Sequence, residues 1–422
     1  MKYLSHIDRS FFFNQLAFYS LLVSGAYIIL LWSPNILGKH FCRWINIITY
    51  IFPWLLLWLV YSWQVVADRE HRLEIILIVS IIILGIVNTA FSDSVSKSLN
   101  AMPTFLLTGI FALWAAMFSV NDQHRRQVFD WFCASAMAVI ILVEIIAWSI
   151  RGHHGPGIFQ IFILHPIPLG TLIILLSPGP VRLIAAKNFK IRAAGGLLVL
   201  LGGLLIFLTH KRGTWLALAA ILVMGIIYLA RQQRYLVISI LLVIALILPL
   251  QAKRMFARLE PNVPHDASIL NRLELYNFAL HIWETHPILG IGLRPFTHEK
   301  YLTDYRPHNT ALHDFPYAVA TLQTFDNMVL TALVELGSFM TIVYLGLVIF
   351  IVVRYGCTLW GFPESSALEW YRGLVLLGFA IHSLSYDSLL FPSVNWLFHV
   401  QVGIMAGYHS FDGARLSYPA GA

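Results

Sequence analysis

Three groups of residues combine ionisable side chains with glycines in patterns that could do chemistry. The first is Thr209-His210-Lys211-Arg212-Gly213-Thr214-Trp215, where adjacent cations sit between two apolar runs. An arginine fork beside a lysine at a membrane surface is suited to a phosphate, although two side chains snorkelling from a helix end would look the same. The second is Ser268 to Tyr276 with Arg272, followed by His286-Pro287-Ile288-Leu289-Gly290-Ile291-Gly292-Leu293-Arg294. The glycine pair lacks the strand-then-helix setting of a nucleotide fold, and Arg272 beside Glu274 could equally belong to a solvated helix face. The third is Phe325-Asp326-Asn327, followed by Glu335-Leu336-Gly337. Asp326 has the residue type and the place of a helix N-cap. Glu335 falls inside an apolar run, where an ionisable group marks function or structure by default. The histidines at 281, 286, 298, 308 and 313 have irregular spacing, and no HExxH or HxxxH occurs. No metal and no cofactor is expected from that pattern.

The elements that must hold these groups are membrane helices. Hydrophobic residues make up 58% of the 422 residues and charged residues 12%, with a mean hydropathy of +0.74. This excludes an ordinary soluble enzyme and a disordered chain. The three cysteines, Cys42, Cys133 and Cys357, are too far apart for a disulfide framework or a CxxC metal site. The formal charge of +7 fits basic cytoplasmic loops and a lipid bilayer partner, with no nucleic acid. A span needs roughly 20 apolar residues. Twelve such stretches are expected, at 11–32, 45–63, 73–91, 103–120, 128–150, 157–178, 194–209, 214–230, 235–251, 328–353, 369–391 and 393–412. The first is too long, and lacks the cleavage site, for a signal peptide. The sixth carries Pro166 and Pro168 and should be kinked or broken.

With the N-terminus inside, the inner segments hold fifteen lysines and arginines and the short outer loops six. That bias puts both termini in the cytoplasm. Residues 252–327 are the only long polar segment, with seven basic residues, eight acids and six histidines. A loop of this length should be a folded extracytoplasmic element, with an amphipathic helix over 268–285 ended by His286-Pro287 and a tight turn at Gly290-Ile291-Gly292. The chain therefore divides into a nine-span part (1–251), a loop element (252–327) and a three-span part (328–422). Trp215, Tyr276, Trp283, Tyr301, Tyr305 and Tyr317 cluster towards the outer face, where they could stack on sugars or form an interfacial belt.

Arg212-Gly213 after a span, Arg272-Leu-x-x-Tyr276 with His286-Pro-x-x-Gly-x-Gly, and Asn327-x-x-Leu330 with Glu335-x-Gly337 together resemble the O-antigen ligase family, over about residues 195–345. That family includes related polysaccharide polymerases. The resemblance implies an all-α polytopic fold of about twelve spans with one large periplasmic loop, similar to C-type glycosyltransferases. It implies a metal-independent enzyme of the bacterial inner membrane, active on the periplasmic face. The donor would be an undecaprenyl-diphosphate-linked glycan, held by Arg212, Arg272 and Arg294 with Lys211 beside them. The acceptor would be a lipid A-core sugar or a second lipid-linked repeat. Ligases place a histidine immediately before the Asn-x-x-Leu segment, whereas this chain has Asp326 there. The base is then Asp326, or a loop histidine such as His313, or the protein is a polymerase-like relative. Asn327 and Glu335 would support the site from behind, Glu335 about nine residues, or roughly 13 Å, into its helix.

A carboxylate can take the acceptor's proton as the new bond forms, and a single displacement inverts the anomeric centre. A diphosphate leaves readily once its charge is stabilised by fixed cations. A lipid-glycan transporter or flippase is the competing class. It would predict inverted repeats and broken helices in both halves, and no internal repeat is visible.

Overall fold

The computed structural model describes residues 4–29, 71–151, 166–209, 211–230, 267–293, 299–302, 304–305, 325–360 and 367–407. Every regular element among them is helical. The long helices are α1 (Leu4–Tyr27), α2 (Arg72–Ala90), α3 (Val95–Ser119), α4 (Gln123–Arg151), α5 (Pro166–Leu176), α6 (Pro178–Ile184), α7 (Phe189–Leu208), α8 (Arg212–Ala230), α9 (Ala267–Thr285), α10 (Met328–Trp360), α11 (Ala367–Ser383) and α12 (Pro392–Ala406). Among the described residues, α2, α3, α4, α7 and α10 each contain a stretch long and apolar enough to cross a membrane. The spans expected at 45–63 and 235–251 lie outside the described residues.

The surface pattern suits lipid. Ile76, Ile83 and Ile86 on α2, Leu142 on α4, Leu200 on α7 and Ile342 and Ile349 on α10 are exposed, where a soluble protein would place polar side chains. The interior is held by α12, whose residues from Ser393 to Ala406 are all buried. Trp396 packs against Phe129 and Phe132 of α4, and Phe398 stacks on Phe379 of α11 at 4.3 Å.

Two helices depart from the expected spans. The sixth span is broken within its described part, and residues 157–165 of it lie outside the described residues. The bend of 40° lies between α5 and α6, at Ser177. Proline costs nothing in the first turn of a helix, where no N–H bond is owed, so Pro178 opens α6 directly after the bend. The expected span 369–391 stops as a helix at Ser383. Leu384 to Phe391 run irregularly with a short 3-10 turn at Ser388–Leu390, where the Leu389 N–H donates to the Asp387 side chain at 3.1 Å.

Buried charges were missed at the sequence level. Arg372, wholly buried, meets Asp130 at 2.8 Å and Glu369 at 3.1 Å, and Asp130 also takes Arg182 at 3.2 Å. Arg372 and Arg182 had entered only the cation count. Unpaired at this depth they would be costly, so they lock α4, α6 and α11 together.

The fold's main device for placing the polar segment is a break in α10. Gly337 adopts φ 72° and ψ 171° within that helix. A break there strips four backbone groups of their helical partners, and the turn after α9 replaces all four. Ile291 and Gly292 donate to the carbonyls of Val334 and Glu335 at 2.9 and 3.0 Å, while Ser338 and Phe339 donate to the carbonyls of Pro287 and Ile288 at 2.8 and 3.4 Å. Asn88 of α2 clips the joint, its amide donating to the carbonyls of Leu289 and Glu335 at 2.6 and 2.8 Å. The two glycine motifs are therefore two halves of one joint. A Cβ on Gly337 would strike the Ile288 carbonyl, and one on Gly290 would strike the Gly337 nitrogen. Gly337→Ala should therefore release the turn, since this backbone region is almost restricted to glycine and strain alone costs about 1–3 kcal/mol. The expected results are a lower melting temperature in detergent and faster protease cleavage between α9 and α10. An unchanged melting curve would show that the break does not need glycine.

Above the joint, Leu275, Phe278, Ala279, Ile282, Tyr305, Phe325 and Val334 form a second core of their own. One face of α9 supplies most of it, at the spacing of a helix lying across the end of α10. Glu274 is buried in this face and accepts a hydrogen bond from Tyr305, so it is no solvated neighbour of Arg272. Tyr301 donates to Asp93, which also meets Lys300 at 3.3 Å.

Candidate functional site

The turn Phe325-Asp326-Asn327 is anchored from three directions. Phe325 is buried in the second core. Asn327 caps α10, its side-chain oxygen accepting from Val329 and Leu330 at 2.9 and 3.1 Å, while its amide donates to the Leu384 carbonyl at 3.2 Å. The expectation that Asp326 could be the cap is thus corrected, and the cap falls one residue later. Asp326 is left in the left-handed region at φ 54°, which aspartate and asparagine tolerate better than other side chains. Its carboxylate points at α9. Arg272 Nε donates to Asp326 Oδ2 at 3.3 Å, and Tyr276, one turn further along α9, reaches the Asp326 carbonyl at 3.5 Å. The helical spacing of Arg272 and Tyr276 puts both on the side facing this turn.

Lys211 closes the group. It lies between α7 and α8, half-buried, and feels both Arg272 and Asp326. Burial and the Arg272 charge hold its ammonium below the ordinary lysine value, against the pull of Asp326. Burial raises the Asp326 carboxyl above the usual aspartate value, opposed by Arg272 and Lys211. Tyr386 is pushed up to about 12 by burial, with the charges of Asp326 and Asp387 adding to it. Two cations and a carboxylate of raised affinity for protons thus share one partly open site: the side chains of Arg272 and Asp326 are 39% and 28% exposed. This arrangement can bind an anion and accept a proton next to it.

Of the residues expected from sequence, the structure brings together Lys211, Arg272, Asp326 and Asn327. Arg212 opens α8 beside Lys211, but its side chain, like Arg294 and His313 altogether, lies outside the described residues. Glu335 lies inside α10, in the helical stretch that runs from Met328 to the break at Gly337. It stands two residues before the break, with its carbonyl in the joint and its side chain lining an open cleft. The aromatic residues divide. Trp215 stacks on Phe207 at 5.6 Å and donates to the Ile206 carbonyl, Trp283 donates to Ser338, and Tyr301 and Tyr305 are tied to carboxylates. These four do structural work, and Tyr276 alone of the described ones touches the site turn. Tyr386 was missed. Its only signal in the sequence is its place next to Asp387 between two apolar runs.

No curated protein matches the chain. Residues 197–356 match the family model described as O-antigen ligase. That stretch runs from α7 to α10 and carries Lys211, Arg212, Arg272, Asp326, Asn327 and the Glu335–Gly337 joint. Lys211, Arg272, Asp326 and Asn327 all fall within it, and over residues 197–356 the chain is thus similar to the O-antigen ligase family.

Proposed function

We propose that the protein is a bacterial inner-membrane glycosyltransferase that moves an undecaprenyl-diphosphate-linked glycan onto an acceptor hydroxyl at the periplasmic face. The observation that carries this reading is the meeting of Lys211 and Arg272 with Asp326 at the mouth of α10, in the segment that matches the O-antigen ligase family. The cations, with Arg212 and Arg294 as further arginines, take the diphosphate. Asp326 takes the proton of the acceptor hydroxyl as its oxygen attacks the anomeric carbon. The bond from that carbon to the diphosphate breaks, and the lipid diphosphate leaves with the electron pair against Arg272 and Lys211. His313 is the alternative base.

The ion pair gives this mechanism an order. With the site empty of donor, Arg272 and Lys211 stabilise the ionised form of Asp326 and so weaken it as a base. A bound diphosphate neutralises both cations. Burial then acts unopposed, and the carboxylate becomes a stronger base when the leaving group is in place.

The test is transfer by the purified protein in liposomes, from undecaprenyl-diphosphate oligosaccharide to lipid A-core. A product on lipid A-core makes it a ligase. A lengthened lipid-linked chain without lipid A-core makes it a polymerase, the reading that Asp326 in place of histidine favours. Movement of the lipid-linked glycan across the bilayer without any new glycosidic bond would overturn both in favour of a flippase. The orientation is checked separately at Lys300, whose side chain is exposed. Lys300→Cys, in a chain with Cys42, Cys133 and Cys357 replaced by serine, should react with an impermeant thiol reagent from the periplasm. Labelling only after the inner membrane is permeabilised would reverse the topology.

A further inference from the structure

A cleft with an inner volume of about 70 Å³ and a wide mouth opens beside the Asp326 turn and runs into the helix bundle. Its lining comes from the first turns of α10, the first half of α3, Leu293 after the α9 turn, the irregular segment after α11, and Asn395 of α12. From Met328 to Glu335 it is about 10 Å deep at the helical rise of 1.5 Å per residue. Glu335 and Asp387 line it, and among the described residues no lysine or arginine does. Behind it stands a polar network unusual for the middle of an apolar bundle. Asn395 donates to Thr108 at 2.9 Å, its carbonyl meets His399 at 2.8 Å, and His399 meets Tyr344 at 3.0 Å. Here α3 widens into a π-helical turn over Leu106–Ile110, a distortion common at functional sites. Polar groups held at membrane depth mark a path for a polar ligand.

Resting on the glycosyltransferase reading above, we propose that this cleft is the acceptor subsite and receives an uncharged, hydroxyl-bearing sugar. Charge divides the two substrates. The cations at Lys211 and Arg272 suit the diphosphate, whereas the carboxylates of Glu335 and Asp387 repel it and accept hydrogen bonds from sugar hydroxyls. Phe105 and Tyr344, 6.0 Å apart, give the same cleft aromatic walls. Asp326 lies at the boundary. Thr331, in the cleft wall, donates to the carbonyl of the adjacent Asn327 at 2.9 Å, and Tyr386 couples Asp326 to Asp387. A base at the junction of donor and acceptor is where a single displacement needs it. Glu335 then touches the acceptor.

Two variants test this in liposomes. Glu335→Gln weakens acceptor hydrogen bonds, and Leu389→Trp fills the cleft. One arm uses lipid A-core as acceptor, the other undecaprenyl-diphosphate oligosaccharide alone, and the arm in which the parent works names the acceptor's source. Glu335→Gln should raise the acceptor KM about tenfold or more and leave the donor KM within about twofold. Leu389→Trp should abolish transfer while binding undecaprenyl-diphosphate oligosaccharide with the parental Kd and melting at the parental temperature. A parental acceptor KM in both variants, or a rise in donor KM instead, overturns the acceptor subsite. A parent chain that neither binds the lipid diphosphate nor transfers from it overturns the transferase reading, and the subsite with it.

Discussion

Asp326→Asn should cut glycan transfer by at least about a hundredfold while leaving the protein folded and inserted, because positioned general bases contribute about 10²–10⁴. The substitution changes almost nothing else. Asparagine tolerates the left-handed backbone at φ 54°, and the helix cap belongs to Asn327. The lost ion pair with Arg272 is partly exposed, and such pairs contribute about 1 kcal/mol or less. A large loss of rate with an unchanged melting temperature would therefore report the carboxylate's proton chemistry. The pH profile adds an independent reading. The base must be ionised, so kcat/KM falls as pH drops through its pKa, and burial places the Asp326 pKa above the usual aspartate value. The acid limb of the parent should lie correspondingly high. Asp326→His should recover some transfer, with the limb moved towards the ordinary histidine value of about 6.5. If Asp326→Asn transfers at the parental rate, the carboxylate is not the base and His313 is the next residue to replace.

Arg272→Ala should be nearly as damaging, again by about a hundredfold or more, since a preorganised donor to a developing negative charge contributes about 10²–10³. Arg272→Lys should recover only part of the activity. Lysine keeps the charge, but it cannot bond Asp326 and a phosphate at once through a planar fork. Here Nε holds the carboxylate at 3.3 Å, and the other end of the guanidinium remains for a ligand. Arg212→Ala should show a comparable loss. The decisive comparison is donor binding measured without acceptor: Arg272→Ala should weaken it, and Asp326→Asn should not. Full activity in both alanine variants would remove the cationic site from the mechanism.

Several elements could be read from the order of residues, and for clear physical reasons. A span must satisfy its own backbone in lipid, so long apolar runs become helices whatever surrounds them. The runs behind α2, α3, α4, α7 and α10 show this. The helix over 268–285 was legible for a related reason. Its apolar residues recur at helical spacing, His286-Pro287 ends it, and it is found at Ala267–Thr285. Pairing a cationic patch with Asp326 was likewise open to the sequence through the resemblance of its motif order.

What the linear pattern could not hold is any fact that depends on a partner distant in the chain. Local residue types favoured Asp326 as a cap, but the cap goes to the residue whose oxygen meets the first free N–H groups, and the anchored Phe325 sets that register. The apolar run behind α10 reads as one unbroken helix. The break at Gly337 exists because a turn some fifty residues earlier supplies four replacement hydrogen bonds. The Arg372–Asp130–Arg182 network joins three helices and leaves no mark in local spacing. Residue types determined which segments are helices and which side chains can carry charge. Only tertiary packing decided which carboxylate stands beside which cation, because that depends on which backbone and side-chain groups the fold has already used to satisfy one another.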